Sequence, residues 1–237
     1  MVKLSTRLKI VYDMLSKCEC LADVGCDHGY LSIAVAQGQI ADSVIAMDIN
    51  AGPLEAAKKN IVDAGLNNRI SILKSDGLKA LKPFDCDAVT VCGMGGVLIT
   101  KILQASIDVV KNTKYVIVEP QSEFYLVRDF LYTNDFVIDD EAMVCEEHKY
   151  YPIIRFHYEA GASNNYELSE AQKYFGPVLL EKRPDIFFEY LEKYEQEIND
   201  ILTKLKGMLS KSGKSKQLEI RVQELSNELA LIKNVMK

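Results

Sequence analysis

The sequence of 237 residues lacks a long apolar run, and no segment near its start resembles a signal peptide. We therefore expect a cytoplasmic protein without a membrane anchor. Basic residues are not in excess either, since 28 Lys and Arg accompany 34 Asp and Glu and give a formal net charge of -6. This balance excludes a protein that binds nucleic acid over its whole surface, so any contact with RNA or DNA must come from a local patch.

The six cysteines and three histidines show no metal-ligand spacing. Cys18 and Cys20 are too close together for a Cys-x-x-Cys pair, and no second pair follows. The sequence therefore predicts reduced thiols, several of them in the core, and neither disulfides nor a metal site.

The chain also lacks the Gly-x-Gly-x-x-Gly turn of dinucleotide-binding folds. Residues 20–31 have the sequence CLADVGCDHGYL, which is typical of a short strand, a tight turn and the start of a helix. Asp27 stands at the third position of the dinucleotide pattern, where a pyrophosphate would approach the backbone. An acidic turn with two glycines, Gly25 and Gly29, suits a cationic ligand instead. S-adenosylmethionine carries a sulfonium and an ammonium group and has no phosphate.

Strands and helices alternate along the first 162 residues. Helices are predicted over 5–17, 30–37, 53–64, 97–110 and 122–132, with Ser5 and Ser122 as N-caps of the first and the last. Strands are predicted over 21–24, 43–47, 69–73, 88–92, 115–118, 136–144 and 151–158. This order predicts an α/β fold with a Rossmann-like, seven-stranded sheet that contains one antiparallel strand.

The remainder, 163–237, forms a second predicted domain. Apolar residues recur every three or four positions from Asp185 onward, and residues 211–215 interrupt them with a Gly/Ser break. The pattern predicts a C-terminal coiled-coil hairpin of two antiparallel helices. Lys211, Lys214 and Lys216 lie at its turn, where they offer a phosphate-contacting patch; a solvated helix tip is the alternative.

Aspartates and glycines close four consecutive strands at what should be one edge of the sheet. Asp48 suits the hydroxyls of a ribose, and Asp76-Gly77 suits the exocyclic amine of an adenine. Gly93-Met94-Gly95-Gly96 allows the backbone to approach a ligand closely. The Asn/Asp-Pro-Pro-aromatic motif of enzymes that methylate exocyclic amines is absent from this place, which indicates a different acceptor.

These motifs together are similar to those of the bacterial tRNA (adenine-22-N1)-methyltransferase family. The resemblance covers nearly the whole chain and rests on Arg7, Asp23–Leu31, Gly52-Pro53-Leu54, Gly65-Leu66, Asp76-Gly77-Leu78, Gly93–Gly96, Arg128, the segment Glu146–Tyr150 and the C-terminal hairpin. It implies a class I methyltransferase that uses S-adenosylmethionine to modify N1 of an adenine in the D-arm region of tRNA. It also implies that Asp27 lies near the reacting centre.

Two segments depart from the family pattern. Asp-His-Ala-Tyr is frequent in the family, and this chain has Asp27-His28-Gly29-Tyr30. The fifth strand usually ends Leu-Gln-Pro-Asn, and here it ends Val118-Glu119-Pro120-Gln121. Gln121 keeps an amide at the last position but has a longer reach.

The expected site follows from the residues and the resemblance together. Cofactor contacts are expected from Asp23, Gly25, Cys26, His28, Gly29, Asp48, Ile49, Asp76, Gly77, Gly93, Met94 and Gly95. Substrate contacts are expected from Arg7, Tyr30, Gln121, Lys211, Lys214 and Lys216. Asp27 is the expected catalytic residue, and capping of the following helix is its alternative role.

Three other functions remain open from the sequence. An NAD-type oxidoreductase would need the glycine turn that Asp27 interrupts. A methyltransferase of a small molecule or a protein would use the same cofactor, and a noncatalytic module would use the hairpin for protein contacts. We expect tRNA as the partner and a monomeric protein, with a weak dimer as the alternative.

Overall fold

The computed structural model describes residues 2–164, 167–212 and 215–237, with the backbone alone at 211 and 212. It divides into two compact units, Met1–Glu167 and Leu168–Lys237. None of the helices in the described ranges is both long and apolar enough to cross a membrane.

The first unit is built on one seven-stranded sheet with the strand order β3-β2-β1-β4-β5-β7-β6. The strands are β1 (Cys18–Val24), β2 (Ala41–Asp48), β3 (Ile70–Lys74), β4 (Ala88–Met94), β5 (Tyr115–Pro120), β6 (Phe136–Glu146) and β7 (Lys149–Tyr158). The first five are parallel, and β7 runs antiparallel to both of its neighbours, β5 and β6. The predicted Rossmann-like sheet with one antiparallel strand is therefore confirmed.

Helices cover both faces of this sheet. They are α1 (Thr6–Asp13), α2 (Tyr30–Gln37), α3 (Ala51–Asp63), α4 (Gly96–Ala105), α5 (Ile107–Lys111) and α6 (Phe124–Thr133). Residues of α1, α2 and α3 form one apolar core with the sheet, and residues of α4, α5 and α6 form a second core. The molecule thus has three layers here, with the sheet in the middle.

The structure corrects two helix predictions. The helix predicted over 97–110 is two helices, because Ser106 leaves the helical region with φ −135° and ψ 39°. Ser122 was expected to cap the last helix, but that helix begins at Phe124 after Glu123, which has φ 49°. The Ser122 hydroxyl donates to Glu123 Oε2 instead, at 2.6 Å. The N-cap at Ser5 is confirmed, since its side chain accepts from Leu8 N.

The second unit is helical. Its helices are α7 (Glu170–Phe175), α8 (Pro177–Lys182), α9 (Asp185–Ser212) and α10 (Lys216–Val235). The long helices α9 and α10 pack together as a hairpin, with Phe187, Leu191, Ile198, Leu225 and Ile232 buried. Tyr194 of α9 donates to Glu228 Oε2 of α10 at 2.7 Å and fixes their register.

Candidate active site

A cleft of about 170 Å³ lies at the carboxyl ends of β1, β4 and β5, next to α1. Eight residues singled out from the sequence line it: Arg7, Asp23, Gly25, Cys26, Asp27, His28, Tyr30 and Gly93. Five further residues complete the lining: Ser5, Leu8, Leu31, Cys92 and Glu119. Ligands of open α/β sheets bind at this edge, so the position of the cleft agrees with a nucleotide site.

Backbone hydrogen bonds anchor the turn after β1. Gly25 N and Cys26 N both donate to Met47 O of β2, at 2.8 and 2.9 Å, and Gly29 N donates to Cys26 O at 2.7 Å. A Cβ added at Gly25 would lie 2.3 Å from Met94 Cε, so a side chain here would collide with the side chain of Met94 at the end of β4. The turn is therefore fixed to the sheet, and Gly25 lacks a side chain where the Met94 side chain packs against its backbone.

Asp23 lies beneath this turn and is almost fully buried. Its two oxygens accept from Ser32 Oγ at 2.6 Å and from Thr90 Oγ1 at 2.9 Å. Burial raises the pKa of the Asp23 carboxyl, and these two hydrogen bonds oppose that rise. Because its two oxygens accept from Ser32 of α2 and Thr90 of β4, Asp23 stabilises the elements that flank the turn.

Asp27 and His28 point away from the turn. The Asp27 side chain is 72% exposed, and its Oδ1 lies 3.7 Å from His28 Nε2. The His28 ring stacks on Tyr30 with 5.6 Å between the ring centroids. The expected alternative role of Asp27 as a helix cap is wrong, because α2 has Gly29 as its N-cap and no side chain bonds there. Asp27 also has φ 49°, a region that costs a non-glycine residue energy and is often retained at functional sites.

Asp48 and Asp76 follow β2 and β3 along the same edge, outside the lining of the cleft. Asp48 Oδ1 accepts from Asn50 N at 2.8 Å, and Ile49 between them is exposed. Asp76 is exposed and pairs with Lys79 Nζ, and Gly77 after it is buried against Ile102. Both carboxylates keep oxygen lone pairs available for a ligand.

The glycine segment at the end of β4 contributes Gly93 to the other wall of the cleft, whereas Met94 and Gly95 lie outside its lining. The register between β4 and β5 shifts between Cys92 and Met94, so Gly93 lies in an irregular stretch with φ 76°. Gly95 is the N-cap of α4, and no side chain caps that helix. Gln121 N donates to Met94 O at 2.8 Å, and the Gln121 side chain approaches the space in front of Gly93.

Glu119 also lines the cleft, although it was not among the expected site residues and stood out only because its segment departs from the family pattern. It is buried, and its Oε2 accepts from Gly93 N at 2.8 Å. Arg7 Nη1 lies 3.4 Å from its Oε1, and Arg7 Nε donates to Glu146 Oε2 at 2.6 Å. Burial raises the pKa of Glu119, whereas the hydrogen bond from Arg7 lowers that of Glu146. Arg7 was expected to contact the substrate, and a substrate phosphate would have to compete with these two carboxylates for its guanidinium.

The expected RNA-contacting lysines belong to the helical unit. Lys216 is exposed in the first turn of α10. Lys211 is described by its backbone alone, at the end of α9, and Lys214 lies outside the described residues. Lys204 and Lys206 on α9 are further exposed lysines of this unit.

Comparisons with known proteins agree with this geometry. A family model described as "TrmK: tRNA (adenine(22)-N(1))-methyltransferase" matches residues 21–234. A tRNA (adenine(22)-N(1))-methyltransferase of Bacillus subtilis is 31% identical over 239 residues, which cover 99% of this chain and 98% of that protein.

Two solved structures are similar over the full length. The crystal structure of the B. subtilis m1A22 tRNA methyltransferase TrmK has a TM-score of 0.89 and 28% identity, and the match covers 100% of both chains. The M. capricolum TrmK, solved in complex with S-adenosyl-homocysteine, has a TM-score of 0.80 and 26% identity over 99% of both chains.

Proposed function

The chain belongs to the tRNA (adenine(22)-N(1))-methyltransferase family, and from this premise we propose that it methylates N1 of adenine 22 in tRNA. S-adenosylmethionine is its methyl donor, in agreement with the S-adenosyl-homocysteine complex of the M. capricolum relative. The observation that carries the proposal is the cleft between the turn after β1 and the wall at Gly93. It lies in a chain that matches the family model over 21–234.

The cleft suits a cationic ligand without phosphate. Arg7 is the one Lys or Arg among the described residues that line it, and two carboxylates already pair with its guanidinium. The exposed carboxylate of Asp27 lies on the turn that also contributes Gly25 to the lining of the cleft. We propose that the cofactor's amino-acid end lies in this cleft, that Asp48 accepts hydrogen bonds from the ribose and that Asp76 accepts one from the adenine amine.

The reaction needs positioning more than acid–base catalysis. When bound, S-adenosylmethionine supplies an electrophilic methyl group on a sulfonium sulfur. The lone pair of adenine N1 forms the new bond to that carbon as the carbon–sulfur bond breaks, so N1 needs no strong base. Positive charge passes to the adenine, and we assign Asp27 the task of stabilising it.

The target adenine must leave the folded tRNA to reach the cleft. Tyr30 offers a ring surface at the rim that is 41% exposed and supported from behind by the ring of His28. Gln121 lies on the wall beside Gly93. We propose that Tyr30 stacks on the extruded base and that Gln121 contacts its edge.

In this proposal, the helical unit binds the tRNA. Lys211, Lys214 and Lys216 at the hairpin turn contact phosphates, while the sheet unit carries out methyl transfer. We further propose a cytoplasmic enzyme, because tRNA is modified there, and a monomeric one, because both walls of the cleft come from one chain.

Incubation with S-adenosylmethionine labelled in its methyl group and with bulk tRNA tests the function. We expect label in 1-methyladenosine, located at position 22 when the tRNA is digested and the fragments are mapped. A tRNA transcript with guanosine at position 22 is the control and should take up no label. Label in another nucleoside, or none in tRNA, would overturn the proposal.

A further inference from the structure

We propose that Glu119 and Arg7 act as a positioning pair for methyl transfer, in which Glu119 holds the peptide N–H of Gly93 and Arg7 holds Glu119. The proposal rests on the function proposed above and adds to it two residues that act through the cleft wall. Neither residue needs to touch the reacting atoms for this role.

Glu119 connects three elements at one point. It lies on β5, its side chain is 2% exposed, and its Oε2 accepts from Gly93 N of β4 at 2.8 Å. Arg7 Nη1 of α1 lies 3.4 Å from Oε1 and 3.5 Å from Oε2 of the same carboxylate. A single buried carboxylate therefore links the wall of the cleft to the helix beside it.

Arg7 is held from its other side as well. Its Nε donates to Glu146 Oε2 at 2.6 Å, and its guanidinium carbon lies 4.6 Å from the centre of the Tyr151 ring. A lysine would keep the charge, but it lacks the planar fork that places one nitrogen on each carboxylate while its face stacks on the ring. The strands β6 and β7 thus fix the orientation from which Arg7 meets Glu119.

The bond from Gly93 to Glu119 lies where regular pairing ends. The register shift between Cys92 and Met94 takes Gly93 out of the regular β4–β5 ladder. The carboxylate of Glu119 supplies a partner for the Gly93 N–H and sets the position of the peptide that faces the turn with Asp27. A displacement of about 1 Å in such a wall can reduce the rate of a positioned reaction by about two orders of magnitude.

The ionisation of the Glu119 carboxyl gives a test of the pair. The groups that face Glu119 are Arg7 on α1, Glu146 on β6 and the half-buried Cys92 thiol on β4. Burial and Glu146 raise the pKa of Glu119, while Arg7 and the Gly93 N–H lower it. Glu119 must therefore ionise at a higher pH when Arg7 loses its charge. A protonated Glu119 is a weaker acceptor for Gly93 N–H.

The experiment compares Arg7→Gln, Glu119→Gln and the double variant with the unchanged protein. The amide resonance of Gly93 is followed by NMR against pH in the protein without ligand, and affinity for S-adenosylhomocysteine is measured by calorimetry. We expect the Gly93 resonance to titrate in the unchanged protein, to titrate at least about one pH unit higher in Arg7→Gln, and to stop titrating in Glu119→Gln.

Activity on tRNA gives the second readout. We expect Arg7→Gln to lower kcat by about tenfold or more with a smaller change in KM for S-adenosylmethionine, because Glu119 loses the group that holds it against Gly93 N–H. The double variant should regain activity to within about threefold of Glu119→Gln, because no unpaired buried charge remains. Lys9→Gln is the control: this exposed lysine of α1 pairs only with Asp13 among the ion pairs of the described residues, and its loss should change nothing.

The outcomes separate the two proposals. A lack of methyl transfer by the unchanged protein would overturn the proposed function, and the Gly93 titration would still decide the role of Glu119. An active protein whose Gly93 resonance and kcat are the same in Arg7→Gln would overturn the positioning pair. Should Arg7→Gln fail to fold, Arg7→Lys keeps the charge without the fork, and an unchanged kcat in that variant would equally reject the pair.

Discussion

Arg128 of α6 and Glu141 of β6 form an ion pair, with 2.8 Å between Nε and Oε1, in which the side chains are 1% and 0% exposed. Arg128 is one of the residues on which the family resemblance rests. Its position shows a structural reason for its presence: it joins a helix on one face of the sheet to the edge strand β6. A buried pair of this kind is costly to break because the remaining charge stays in the interior and loses the opposite charge of its ion-pair partner.

We therefore expect Arg128→Met to lower the free energy of unfolding by about 3–5 kcal/mol, since Glu141 would stay buried without its guanidinium partner. Urea unfolding followed by circular dichroism measures this change. The double variant Arg128→Met/Glu141→Leu is the control, and its loss should be clearly smaller because both charges are gone. A single variant as stable as the unchanged protein would contradict this account.

The sheet could be predicted from the sequence because its signals are local. Each parallel strand is an apolar run that ends at an acidic residue or glycine, and amphipathic helices separate most of them. Helices α7 and α8 could not be predicted by the same means, since six residues are too few to show a periodicity. The available signals were the capping box of Ser169 and Gln172 for α7 and Pro177 at the first position of α8.

The residues of the candidate site also fall into those that the sequence could predict and those that it could not. The turn at Gly25–Gly29 is contiguous in the chain, so its residues could be named from the sequence. The pairing of Arg7 with Glu119 spans 112 positions and depends on how α1 packs beside the end of β5. No spacing in the sequence reports such a contact. The hydrogen bonds of Asp23 with Ser32 and Thr90 were equally hidden, because 21–24 of β1 are all buried and show no alternation.

Gly29 should resist replacement by the alanine that is frequent at this place in the family. It has φ 72°, and a Cβ here would lie 3.2 Å from Ala57 Cβ of α3. We expect Gly29→Ala to cost about 2–3 kcal/mol, from the left-handed backbone and the crowding together. Thermal or urea unfolding measures the loss.

Gly65→Ala is the matched control for that substitution. Gly65 has a nearly equal φ of 70°, but nothing lies within 4 Å of an added Cβ. Its cost should therefore be that of the backbone alone, about 1–2 kcal/mol. Equal losses of unfolding free energy in the two variants would show that Ala57 moves aside at no energetic cost. No loss in Gly29→Ala would show that the turn adopts another conformation.

Neutralising the hairpin lysines should weaken tRNA binding in a salt-dependent way. We expect the triple variant Lys211→Gln, Lys214→Gln, Lys216→Gln to reduce the slope of log affinity against log salt by about 2–3. Filter binding of tRNA at several salt concentrations measures the slope. Lys193→Gln on α9 is the control, because Lys193 lies 4.0 Å from Glu197 and is remote in sequence from the turn. An unchanged slope in the triple variant would show that these lysines do not contact the tRNA phosphates.

Asp27→Asn should separate binding from chemistry. The amide keeps the shape of the side chain, and no helix cap is lost because α2 begins at Gly29 without a side-chain bond. We expect affinity for S-adenosylhomocysteine to stay within about threefold, while the single-turnover rate of methyl transfer falls by about two orders of magnitude. Rapid-quench measurements with labelled S-adenosylmethionine and tRNA report that rate. Asp42→Asn, at the exposed start of β2, is the control and should match the unchanged protein. If Asp27→Asn transferred methyl groups at the original rate, the carboxylate would have no part in stabilising the charge on the adenine, and the strain at φ 49° would need another explanation.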